Sequence, residues 1–325
     1  MSSDKLHRDA IVVDGLIVSK WGRPVFEAMR DGGLTAANCT CGIWEGFEAS
    51  VGAIADWKQW FREHADILLQ VYKVEDILRA KAEGRVGVIL GWQNSVGFGE
   101  DLRRVPIFAE LGLRVVQMTY HTANMAGSGC LESHDRGLTD WGRDLVAALN
   151  AEGILIDLSH VGDETARDII LASAQPVAYT HCAPLALKDH PRNKSDAAMR
   201  LVAEHGGLVG VTMFPPFMRR GSESTLADYL DAIEYIVDLC GEEQVAIGTD
   251  FTQGMQPQDF AYMLRDKGYG RQLLQPKGAV FPADFARIEH YPNLTEAMAA
   301  RGWSHTRITR LLGANWLRIF REVWR

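Results

Sequence analysis

The sequence has little that would take it out of water. No stretch approaches 18 uninterrupted apolar residues, the length a helix needs to cross a bilayer. The first residues, MSSDKLHRDAIVVDG, lack the basic start and apolar run of a secretory signal. Positive charge is also short: 34 Lys and Arg stand against 42 Asp and Glu, a formal net charge of −8. That balance argues against a nucleic-acid partner, which calls for cations clustered on one face. It gives no attraction to an anionic membrane surface either. The five cysteines (Cys39, Cys41, Cys130, Cys182, Cys240) are an odd number without C-x-x-C spacing, as expected of a reduced, cytoplasmic protein. With no low-complexity linker, composition break or solenoid repeat, the 325 residues are expected to form one domain.

What is present is a short apolar run, a turn and an amphipathic helical pattern, repeated. The runs are 11–18, 34–41, 86–94, 113–120, 153–160, 176–182, 206–213 and 244–250. They are almost continuously apolar, as strands buried on both faces should be. Between them lie helix patterns such as 163–174 and 227–241, the second closing on a glycine suited to a C-cap. Eight such units predict a closed parallel (β/α)8 TIM barrel, with an open doubly wound sheet as the rival. Residues 251–292 are polar and Gly/Pro-rich and are expected to form a long loop over the barrel mouth. The segment 293–325 returns to helical spacing.

Chemistry in such a barrel gathers at the C-terminal ends of the strands. Those ends carry His160, His181 and Asp250, with Gln93 and Tyr120 on two others. A lone strand-end histidine is usually a hydrogen-bonded structural group, and an aspartate there is often a cap. Two histidines on successive strands plus a carboxylate on the eighth would converge on one axis, a set suited to a divalent ion.

Several separated motifs, -DLSH-, -THC-, -HPRN-, -IGTDF- and the closing LLGANWLRIF, occur in order over nearly the whole chain. In these the sequence resembles the renal (membrane) dipeptidase family of metallopeptidases. The resemblance implies a metal-dependent-hydrolase barrel and a homodimer. It implies that His160 and His181 bind the second of two metals, and that Asp250 binds the first and takes the proton of the attacking water. Arg192 would hold a substrate carboxylate, and Tyr120 would lie near the tetrahedral oxyanion.

The pattern breaks at the first strand. Where the family has D-G-H-N-D, this chain reads Asp14-Gly15-Leu16-Ile17-Val18, and neither Leu nor Val can bind a cation. Gln93 stands where the family has a bridging Glu, and an amide offers one good donor oxygen. The first metal position is therefore expected to be lost. The second, with His160, His181, Gln93 and Asp250 in reach, is expected to take one zinc ion. Lys20 could replace the lost cation by pairing with Asp250, and Cys39 or Cys41 could supply a thiolate; solvated lysine and apolar filler are the plainer readings. His121 is expected to point to the opposite strand face. Trp44, Phe47, Trp57 and Trp60 are expected to pack the core and one pocket wall. The leading reading is a metallo-dipeptidase-like hydrolase acting on a dipeptide or N-acyl amino acid by metal-activated water. The other is a non-peptidase binder or acid–base enzyme for a small carboxylated or zwitterionic metabolite.

Overall fold

The computed structural model describes residues 2–265 and 280–324. Nine strands are present among these residues: β1 (Val13–Ile17), β2 (Ala36–Gly42), β3 (Leu68–Gln70), β4 (Val86–Trp92), β5 (Leu113–Gln117), β6 (Leu155–Asp157), β7 (Ala178–Cys182), β8 (Leu208–Val211) and β9 (Val245–Ile247). All pair in parallel in the order β1-β2-β4-β5-β6-β7-β8-β9. The circle closes just beyond β9. The Val18 amide donates to the Phe251 carbonyl and the Asp250 amide to the Leu16 carbonyl, both at 3.0 Å, and Ile17 bridges Phe251. This is the (β/α)8 barrel, and the open sheet is excluded.

The eight apolar runs are its strands. The short β3, absent from the sequence reading, pairs with residues 86–88 at the start of β4, while β5 takes residues 90–92. Three residues carry too little periodicity to be read as a strand.

Strand alternation splits the core. One side chain from each of the eight barrel strands (Val13, Ala36, Ile89, Val115, Leu155, Ala178, Leu208 and Ala246) fills the barrel, against Trp316. The Trp316 indole N–H donates to the Ile247 carbonyl at 2.9 Å. A Cβ on Gly15 would lie 2.3 Å from the Trp316 ring, so glycine there makes room for the plug. The outward residues pack under helices such as Asp163–Ala172 and Leu226–Cys240. The second starts on a Thr225–Asp228 capping box and stops at Gly241 (φ 91°), which L side chains rarely adopt.

The expected loop at 251–292 is in part helical. Pro257 at the first turn and a Gln256–Asp259 capping box start a helix, Pro257–Met263; 266–279 lie outside the described residues. The C-terminal segment forms helices Tyr291–Ala300, His305–Thr309 and Asn315–Val323, with a π turn between the last two. No helix among the described residues is long and apolar enough to cross a membrane.

Candidate active site

His160 follows β6 and His181 lies near the end of β7, so their rings meet at the C-terminal mouth of the barrel. Their Nε2 atoms are 3.0 Å apart, and both rings are buried. The sequence explains the orientation of the pair. Asp157, three residues before His160, accepts hydrogen bonds from the Ser159 amide at 2.9 Å and hydroxyl at 2.5 Å. It also accepts from the Thr180 amide at 3.0 Å and hydroxyl at 2.7 Å. The Thr180 oxygen in turn lies 2.7 Å from His181 Nδ1. With Asp157 ionised, Thr180 gives it its only proton and must accept one from His181 Nδ1–H. The lone pair of His181 Nε2 then faces His160. Burial, helped by the positive field of Arg192, holds both imidazoles well below their ordinary pKa, so they are neutral.

Arg192 completes this side. Its Nη2 donates to the His181 carbonyl at 2.7 Å, and its guanidinium lies 5.4 Å from the centre of the Phe217 ring. Its Nε and Nη1 are buried with no hydrogen-bond partner among the described residues. A buried guanidinium with two unused donors is costly unless an acceptor arrives. Lys194, fully buried two residues on, donates to the Val161 carbonyl at 2.5 Å and adds cationic charge beneath the imidazoles.

Asp250 is buried, and no hydrogen-bond donor reaches its carboxylate among the described residues. Burial pushes its pKa up to about 7; Arg192 opposes the rise, and the carboxylates of Asp14 and Asp157 add to it. Its backbone is left-handed (φ 61°), as is that of His121 (φ 60°), the two non-glycine residues with positive φ among those described. Such strain costs on the order of 1–3 kcal/mol and persists where the surroundings enforce it.

His121 is a correction. Its left-handed backbone turns the ring back toward the mouth, 4.1 Å from the Tyr120 ring and 4.7 Å from that of His160. Burial lowers its pKa to about 3. A strand-alternation argument could not find this, because alternation ends where the strand does. Tyr120 stacks on His160 at 4.3 Å. The Gln93 amide donates to Thr40 Oγ1 at 3.0 Å, and no donor among the described residues reaches its Oε1.

The opposite side of the mouth is apolar. Val18 packs with Ile43, Tyr120, Phe260 and Met263, and Leu16 is buried. Lys20 is largely exposed and pairs with Asp259 at 3.2 Å, not with Asp250. Cys39 and Cys41 are buried in the outer core. Burial pushes their thiols up, Cys41 to about 12, so they are filler. Trp57 and Trp60 form part of a pocket wall and Trp44 packs edge-on against Tyr120, as the aromatic run suggested.

A two-ion centre does not fit these residues. Leu16 and Val18, the positions at the end of β1 at which the family resemblance implies ligands, are buried aliphatics, and among the described residues no three His, Cys, Asp or Glu side chains form a group that could hold a metal ion. The second position fits in part: the two Nε2 atoms lie close enough for one zinc ion to touch both at the usual ~2.0–2.1 Å.

Comparison with known proteins agrees with this architecture. The family model for membrane dipeptidases (peptidase family M19) matches residues 25–266 and 276–325. The crystal structure of an amidohydrolase from Pseudomonas aeruginosa is 46% identical, with a TM-score of 0.97 over 100% of this chain and 99% of that one. The metallopeptidase of Rhodobacter sphaeroides, solved with a phosphinate mimic of the dipeptide L-Ala-D-Ala, shares the fold at 21% identity. Its TM-score is 0.81 over 97% of this chain and 100% of that one. The dipeptidase tcpJ of Claviceps purpurea is 26% identical over 80% of this chain, a match that spans 56% of the fungal protein.

Proposed function

The chain belongs to the membrane dipeptidase family, and from that premise we propose that it hydrolyses the amide bond of a small substrate ending in a free carboxylate, a dipeptide or an N-acyl amino acid. The observation that carries the reading is Arg192. It is a buried guanidinium at the mouth, with Nε and Nη1 unpartnered among the described residues and its charge felt by Asp250 and both imidazoles. One of these donors, together with the second N–H of Nη2, can present two parallel N–H groups to the two oxygens of a carboxylate.

The remaining residues supply a coherent division of labour. Asp250, neutral or ionised with nearly equal ease at neutral pH, takes the proton of the attacking water and returns it to the leaving amine as the C–N bond breaks. Tyr120, stacked on His160, lies beside the carbonyl oxygen that becomes the oxyanion. His160 and His181 would hold a single zinc ion with Gln93 Oε1 as a third donor, and such an ion supplies Lewis-acid polarisation of the carbonyl. No step is assigned to a second ion.

The test is Arg192→Lys with matched ligands, a dipeptide and its C-terminal amide. Affinity for the carboxylated member should fall roughly ten- to hundredfold, corresponding to about 1.5–3 kcal/mol for a charge-assisted contact, while the amide is almost unaffected. Equal losses for both ligands, or a lower thermal stability with no change in binding, would make Arg192 a purely structural group.

A further inference from the structure

On the side of the mouth where the first-strand ligands are missing, a cavity of about 450 Å³ opens, large enough for a small-molecule substituent. Its walls are Val18, Trp21, Ile43, Trp57, Trp60 and Met263. Three of these are tryptophans in contact: Trp21 and Trp57 lie edge to face at 5.1 Å, and Trp57 and Trp60 at 5.0 Å.

The polar groups around the cavity are already occupied. Lys20 pairs with Asp259. One Glu45 carboxylate oxygen accepts from the Ile43 and Trp44 amides at 2.6 and 3.0 Å, and the other from the Tyr262 hydroxyl. The Trp21 indole donates to the Thr40 carbonyl at 2.9 Å. Asp56, the remaining acidic lining residue, is exposed to solvent. A ligand group placed here therefore meets ring faces and methyl groups and is offered no unspent buried charge.

The cavity also adjoins the reactive groups. Val18 and Ile43 pack against Tyr120, whose ring stacks on His160, and Thr40 accepts from the side chain of Gln93. Tyr120 thus stands between the Val18–Ile43 wall of the cavity and His160.

We propose that this cavity is a subsite for a large uncharged group, an aromatic ring or a medium-length alkyl chain, on the same substrate whose carboxylate Arg192 holds. The assignment rests on the reading of Arg192 given above and extends it to the other end of the substrate. Val18, at a position where the family carries a metal ligand, then has a consequence for specificity: an aliphatic side chain lines the cavity where a cation would draw in polar groups and water. Each methylene buried should tighten binding by roughly fourfold.

The test uses the full chain and ligands that resist hydrolysis: methanesulfonyl-glycine, hexanesulfonyl-glycine and the glycinamide counterpart of each, with affinities measured by calorimetry. The hexyl compound should bind at least about tenfold more tightly than the methyl compound, since even two well-buried methylenes reach that ratio. Ala53→Trp, which narrows the cavity from the helix Phe47–Glu63, should erase most of that advantage and leave the methyl compound unchanged. Trp60→Ala, which removes a wall, should reduce it independently. No hexyl advantage, or one that both variants leave intact, would overturn the subsite. Tighter binding by a hexyl chain ending in trimethylammonium would overturn its uncharged character. A hexyl advantage that persists while glycine and glycinamide compounds bind alike would sink the Arg192 reading and keep the cavity. Carboxylate preference without a hexyl advantage would do the reverse.

Discussion

The two halves of the barrel mouth are built on the same frame and end in opposite chemistry. At β6, Asp157 accepts from the amide two residues on, and from the amide and hydroxyl of Thr180 on the neighbouring strand. At β1, Asp14 does the same with the Leu16 amide at 3.1 Å and with the Thr249 amide and hydroxyl at 2.9 and 2.5 Å. Tyr291 adds a fourth hydrogen bond to Asp14 at 2.6 Å. Beyond these matching carboxylates the halves diverge. One presents His160, His181 and Arg192; the other presents Leu16, Val18 and Ile43. The stitching of one strand to the next is thus separable from the groups displayed above it. An aspartate that satisfies buried donors is costly to remove whether or not a metal lies nearby, whereas a ligand position without an ion can become apolar and gain by packing.

The comparison breaks most readily at the metal. Replacing His160 and His181 together with Ala should take zinc content, measured after loading and dialysis, from one equivalent to none, because both imidazole donors are lost. Zinc retained at the same level would place the ion away from the two imidazoles.

The apolar half can be probed by putting back one of its missing ligands. Val18→Asp buries a carboxylate among Ile43, Tyr120 and Met263. The expected cost is on the order of 3–5 kcal/mol, the range for an uncompensated buried charge, read from urea unfolding in chelator. A loss below about 1 kcal/mol would show that water already reaches this position.

The shared frame carries a smaller, pH-dependent signature. Burial raises Asp14 to about 6 against its hydrogen bonds, so between pH 4 and 6 the folded chain keeps a proton that the unfolded chain has released. Its contribution is therefore greatest below about pH 4, declines as pH rises to about 6, and is flat above. The full excursion is about 3 kcal/mol for a shift of this size. Asp14→Asn should flatten that part of the stability profile while lowering stability overall through lost hydrogen bonds. A profile of unchanged slope would mean that Asp14 titrates normally.

Much of this molecule is legible in its order of residues. Eight continuous apolar runs determine the strands, since only side chains buried on both faces of a sheet make such runs. The strand-end histidines and Asp250 follow from their positions after those runs, whereas Arg192 and the loss of two first-strand ligands follow from the resemblance to the dipeptidase family. What the tertiary structure decided lies where long-range contacts outweigh local pattern. The left-handed backbone of His121 turns its ring into the site, and no alternation rule predicts that. Lys20 pairs with Asp259, 239 positions away, because the helix Pro257–Met263 folds over the β1 end. Three tryptophans come together as cavity walls only because strand ends and helix faces meet there. Sequence periodicity reports which face of an element is buried, whereas the direction of a side chain at an element's end depends on backbone angles and neighbours that closure of the barrel brings together.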